Sequence, residues 1–297
     1  MDIILNIKDS TTIEEITITF SRINEIGQQY NLNIVLYKYI RPETLAVIVA
    51  FYKAKIYEGY NINVGISNIN TYAQRINFHR NMGIEEKENF NRHSNEGRFI
   101  EITNFNEENS VNLVNDIMNI FRNNIALEDS VLSVLNYCFF EVVDNVQNHS
   151  KSPIGGYLTA QRFQTERTLC ITIIDCGQGI YKSLTQNEDS KYKHLSEKEA
   201  MEYCIQESVT NGNGMGNGLY HTRRFIEFNR GKMTIYSGRK KLLVTQGEID
   251  VVDIPYFDGT IVSLCINLDN EVNFNEIFGE NIPTSVEEAY DCINELW

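Results

Sequence analysis

The segment ITIIDCGQGI, residues 171–180, constrains this chain more than any other. It is a continuous β-branched run, fit for a buried strand, that ends on a carboxylate, Asp175, and is followed at once by Gly177 and Gly179. A carboxylate at a strand end can accept a hydrogen bond from the exocyclic amine of a base, while glycines let the backbone turn tightly beside it. Taken alone, the same residues also describe an ordinary strand-to-loop turn, since Asp and Gly are common turn formers.

Two further patterns flank it. Upstream, FEVVDNVQNH places Glu141, Asn145 and His149 four residues apart, so a helix carries all three on one face. The rest of that helix is apolar (Val131, Leu132, Val134, Leu135, Phe139, Val142), and the plain reading of the polar face is a solvated stripe. Downstream, NGNGMGNGLYHTRRFIE sets Gly212, Gly214, Gly216 and Gly218 ahead of a helix opening near Leu219. Glycines admit phosphates to backbone N–H groups, and a helix N-terminus favours negative charge. No strand clearly precedes these glycines, so the loop is not a dinucleotide fingerprint, and no GxxxxGKS/T exists to make a P-loop.

Around these patterns the chain divides into two units. Residues 1–88 read as a small α/β unit: strands at 2–7, 33–37 and 62–66, a helix starting at Pro42 and stopping before Gly59, and a helix over 71–82 ended by Gly83. The stretch from Glu85 to Gly97 is polar and nearly free of large aliphatic residues, which sets a linker at 89–97. Residues 98–270 form the second unit: a strand at 98–103, helices over 110–122 and 128–149, strands at 156–164 and 169–175, a loop-rich span, a helix over 219–229, and strands at 233–237 and 260–267. The tail, 271–297, carries a short helix over 286–296. The fold class is α/β (α+β).

At 297 residues the chain is comfortable for two domains, and 42% hydrophobic with 22% charged residues is ordinary for globular protein. A net charge of −14 repels phosphate backbones and anionic lipid, so nucleic acid is an unlikely partner and a membrane surface a poor one. The basic group Arg239, Lys240, Lys241 is expected on a solvated hairpin. Six scattered cysteines without a CxxC pair suggest free thiols in a reducing compartment. With no basic leader and no long apolar segment at the N-terminus or elsewhere, the expected location is cytoplasmic.

Taken together, the three patterns resemble the N, G1 and G2 boxes of the GHKL superfamily, which includes the ATP-binding domains of gyrase, MutL, heat-shock chaperones and histidine kinases. Gly259-Thr260 and its strand are similar to the last box of that family, and Gly231 to Ser237 to the strand after the G2 helix; the likeness spans roughly residues 98–270. It implies a Bergerat α/β sandwich binding ATP and Mg2+. Asn145 would coordinate the metal, Asp175 would contact the adenine amino group, and Gly177 and Gly179 would shape its pocket. Gly214, Gly216 and Gly218 would lie against the phosphates, with Leu219 opening the helix there, and Thr260 would support the base side. Glu141 matches the general base of hydrolysing members. FEVVDN is close to the gyrase version of the box, whereas His149 looks more like the kinase version. The span between Gly179 and Gly214 would be the ATP lid, with Lys182, Lys191, Lys193 and His194 as candidates to reach a γ-phosphate.

The N-terminal unit resembles a STAS domain in IVLYKYIRPETLAVIVAF, with Glu43 beside Thr44 where phosphorylatable members carry a serine. The resemblance implies a Mg-dependent ATPase switch with a protein partner or a homodimer. The alternative it leaves is a serine or histidine kinase of the anti-sigma or two-component type; His79 and His93 lie outside the two long helices where a phosphoacceptor would stand.

Overall fold

The computed structural model describes residues 2–23, 27–68, 70–85, 87–124, 129–209, 218–272 and 277. The chain is mixed α/β, with one parallel and one antiparallel sheet. The first is built from β1 (Asp2–Ile7), α1 (Ile13–Ile23), β2 (Gln29–Leu36), α2 (Pro42–Tyr57) and β3 (Asn61–Ser67), its strands parallel in the order β1-β2-β3. Alternation decides its faces: Ile3, Leu5 and Ile7 of β1 are buried, while Asp2, Ile4 and Asn6 are exposed. Two short helices follow, α3 (Thr71–Arg75) and α4 (Phe78–Asn81). The single helix expected over 71–82 is broken because Asn77 adopts the left-handed conformation, φ 64°, between them.

The second sheet has the order β4-β5-β6-β8-β7, antiparallel throughout. Its elements are β4 (Phe99–Phe105), α5 (Ser110–Asn124), α6 (Asp129–His149), β5 (Gly156–Phe163), β6 (Thr168–Asp175), α7 (Gly179–Thr185), α8 (Glu197–Tyr203), α9 (Gly218–Asn229), β7 (Lys232–Thr245) and β8 (Glu248–Asn267). On one face, Leu158, Leu169, Ile171, Ile173, Ile235 and Leu264 pack with residues of α5, α6 and α9 such as Ile117, Phe121, Phe139, Val143 and Phe225.

The opposite face is covered by the first unit. Tyr157, Ile174, Tyr236 and Ile261 join one continuous apolar cluster with Leu45, Val49 and the other buried residues of α1 and α2. Helix α1 packs on β8, and α2 on β5 and β6. At the rim, Arg41 pairs with Glu166 at 2.6 Å and stacks on Phe163, and the Tyr72 hydroxyl donates to Gln161 at 3.1 Å. The polar stretch expected as a linker is tied down as well: Arg92 binds Glu88 and donates to the carbonyl of Gln74, and Arg75 pairs with Glu101.

Three expectations change. Strands β7 and β8 run well past the sheet as a long hairpin, which packs between α1 on one side and α7 and α8 on the other. Its cations are each engaged: Lys240 pairs with Asp253, Lys241 with Glu14, and Arg239 lies over Tyr256. The loop-rich span contains two helices, α7 and α8, the latter opened by a Ser196/Glu199 capping box. The six cysteines are not all free. Cys170 and Cys265 form a disulfide, because the register of β6 on β8 sets them directly opposite each other with 4.1 Å between their Cα atoms. Cys138, Cys176 and Cys204 are free thiols. No helix among the described residues is long and apolar enough to cross a membrane. The tail helix expected over 286–296 lies outside the described residues.

Candidate functional site

Helix α6, strand β6 and the N-terminal end of α9 meet around one cavity that opens to solvent. Glu141, Asn145 and His149 all line it, so the polar stripe of α6 faces this cavity rather than bulk solvent. Asp175, Gly179, Gly218, Leu219 and Thr260 line it too. Gly177 stands just behind, and Gly214 and Gly216 lie outside the described residues.

Asp175 is 4% exposed at the end of β6, directly opposite Thr260 of β8. Burial pushes its carboxyl up to about 7, against the pull of the Gly177 N–H, which donates to Oδ1 at 2.9 Å, and of Thr260. Gly259 is required here: its φ is +108°, and a Cβ would lie 2.1 Å from the Asp175 carbonyl oxygen.

The C-terminal end of α6 is fastened to the turn after Asp175. Gln178 N–H donates to the Ser150 carbonyl at 2.7 Å, and the Gln178 side chain donates to the His149 carbonyl at 2.6 Å. Gly177 permits this contact, since a Cβ there would meet the Ser150 oxygen at 2.0 Å. Helix α6 is held equally close to α9, where a Cβ on Gly218 would fall 2.3 Å from that of Glu141. Glu141 is half-buried; burial raises its carboxyl, the neighbouring Asp144 raises it further, and the Tyr137 hydroxyl pulls it partly back.

The floor and walls are apolar: Val142, Val146, Ile173, Leu184 and Val262 are all buried. Val142 is legible in the sequence as the apolar side of the helix but not as cavity lining, and Val146 carries no separate signal. Ile180, Ser183 and Leu184 of α7, with Cys204 and Val209 beyond α8, close the remaining side and carried no signal in the sequence. Lys182, Lys191, Lys193 and His194 are not among the described residues that line the cavity. Lys182 donates to the Tyr256 hydroxyl at 3.4 Å, Lys193 to the Glu188 carbonyl, and Lys191 lies over Tyr192. In the first unit, Glu43 lies in the opening turn of α2 with its carboxyl raised by burial, and the buried Thr44 hydroxyl donates to the Thr11 carbonyl at 3.3 Å.

Compared with known proteins, the chain matches no protein-family description and no curated sequence.

Proposed function

We propose that this protein binds ATP with Mg2+ in the cavity between α6, β6 and α9, in the manner of the GHKL superfamily, and hydrolyses it as a nucleotide-controlled switch. The observation that carries the reading is the convergence of Glu141, Asn145, Asp175, Gly179, Gly218, Leu219 and Thr260, from distant parts of the sequence, on one cavity. The chemistry of the lining supports it. An apolar slot of Val142, Val146, Ile173 and Val262 suits a flat base, and Asp175 with Thr260 supplies a polar pair for its edge.

The donor set suits magnesium, which takes oxygen ligands and is held by few protein groups, sharing phosphate and water oxygens. Asn145 offers an amide oxygen one helical turn from Glu141, with Asp144 beside it. Magnesium would neutralise charge on the phosphates there. The N-terminal end of α9 faces the same space and favours negative charge. Glu141, made more basic by burial and by Asp144, would accept a proton from the attacking water. The first unit, STAS-like in its sequence, would be the regulatory or partner-binding module.

The test is nucleotide binding and phosphate release by the purified protein, with and without Mg2+. In Glu141→Ala, turnover should fall by about 10²- to 10⁴-fold, the usual weight of a general base, with binding retained. Asp175→Asn should weaken binding. Binding without turnover in the native protein transfers the reading to a protein kinase, and a labelled partner would then be sought. A folded native protein that binds no adenine nucleotide ends the proposal.

A further inference from the structure

We infer that Ser237 is a positioning residue for the base end of the cavity and thereby sets which nucleotide the protein accepts; this rests on the nucleotide reading above. Ser237 stands in β7 where the sheet gives way to the hairpin, directly opposite Thr260 of β8. It is 5% exposed and contributes nothing to the lining of the cavity. Its hydroxyl nevertheless joins the two segments that frame Asp175. The Ile180 N–H donates to Ser237 Oγ at 2.9 Å, and the hydroxyl donates onward to the Gly259 carbonyl at 3.0 Å.

The fit around that hydroxyl is close. A Cβ on Gly179 would come 2.7 Å from Ser237 Oγ, and one on Gly259 would come 2.1 Å from the Asp175 carbonyl oxygen. Gly179, Ser237, Gly259 and Asp175 thus form a stack with a single side-chain hydroxyl at its centre. The two residues that follow the pinned glycines, Ile180 and Thr260, both line the cavity. In alanine, the Ile180 N–H and the Gly259 carbonyl both lose their buried partner.

Adenine and guanine differ at the edge this stack presents. Adenine carries an amino donor where guanine carries a carbonyl acceptor. An acceptor carboxyl held in register with Thr260 favours the first and repels the second. Discrimination therefore depends on how rigidly Asp175, Thr260 and Ile180 are held against one another, because small displacements weaken oriented contacts steeply.

The experiment is calorimetric titration of Mg·ATP and Mg·GTP into the native protein and into Ser237→Ala. The native protein should prefer ATP. In Ser237→Ala, ATP affinity should fall about tenfold, the effect of roughly one buried hydrogen bond, with GTP affinity almost unchanged, so that the ATP/GTP affinity ratio falls about tenfold. Equal losses for both nucleotides would mean a merely structural serine and would overturn the inference, as would an unchanged ATP affinity. If Ser237→Ala does not fold, Ser237→Cys, which keeps the side chain's shape and weakens both of its hydrogen bonds, is held to the same ratio. A native protein that binds ATP while Ser237→Ala keeps its selectivity sinks only this inference. A native protein that binds neither nucleotide sinks the nucleotide reading with it.

Discussion

Asp175 has to satisfy two demands that oppose each other. As the end of a buried strand it is dry, which favours the neutral acid; as an acceptor for a donor on a ligand it works best ionised. With burial outweighing the Gly177 and Thr260 hydrogen bonds, its carboxyl stands at about 7 instead of 3.8. The folded protein therefore holds a proton at Asp175 that the unfolded chain has already released between those values. The stability tied to that neutral carboxyl is complete below pH 3.8 and drains away as pH rises through about 7, with up to about 1.4 kcal/mol lost per pH unit across the window. Asp175→Asn, close in shape to the neutral acid, should lack that slope. Urea denaturation of the ligand-free native and variant proteins from pH 4 to pH 8 reads the difference directly, and two parallel profiles would show that Asp175 titrates normally. By the same reasoning, Glu141 and Asp175 differ in what raises them: Glu141 has a like-charged neighbour in Asp144, whereas Asp175 is raised by burial alone.

Helices α6 and α9 meet so closely at Glu141 and Gly218 that no other residue fits at the second position. Gly218→Ala should force the two helices apart, costing on the order of 1–3 kcal/mol in stability as overpacked contacts do. It should also weaken nucleotide binding disproportionately, because Leu219 and Asn145, on the two helices being parted, both line the cavity. A variant that is destabilised but binds normally would show that the close approach serves packing alone. This junction illustrates what was legible in the sequence. The four-residue spacing of Glu141, Asn145 and His149, the strand-end Asp175 and the glycine before Leu219 fall together because periodicity and turn chemistry are local signals. Elements whose composition opposes their conformation were less legible. Helix α1, ITITF-rich, is β-branched and so low in intrinsic helix propensity, and burial of its apolar face holds it as a helix. Its local signals run against that composition: apolar residues at helical spacing, Ile13, Ile16, Phe20 and Ile23, and the reciprocal Thr12 and Glu15 capping pair, 3.2 and 3.0 Å. The hairpin past Ser237 and the lining from α7 and from the chain after α8 depend on contacts between distant segments, for which a single sequence has no period to show.

At the scale of the whole molecule, the second sheet has no free broad face. One side packs on α5, α6 and α9, and the other buries Tyr157, Ile174, Tyr236 and Ile261 against α1 and α2. The composition suggested two units each able to bury a core, but the cluster under α1 and α2 is a single core shared by both sheets. Ile174 precedes Asp175 in β6, and Ile261 follows Thr260 in β8, so the residues that meet the first unit alternate along the strands with those that meet the cavity. The first unit is therefore coupled to the site through one thickness of sheet, and the hairpin, held between α1 and α8, gives a second route. A core substitution far from the site tests the coupling. Phe20 of α1 is 2% exposed and stacks on Phe51 of α2, ring centroids 3.7 Å apart. Phe20→Ala should cost on the order of 3–5 kcal/mol, typical of a large core truncation. If the shared core makes one cooperative unit, calorimetry should find a single transition displaced to lower temperature, with calorimetric and van't Hoff enthalpies in agreement. Saturating nucleotide should raise that one midpoint in both proteins, since a ligand stabilises whatever unfolds with its site. Two transitions, of which only one responds to Phe20→Ala and only the other to nucleotide, would mean that the two units fold independently and that the first reaches the site by some route other than their common core.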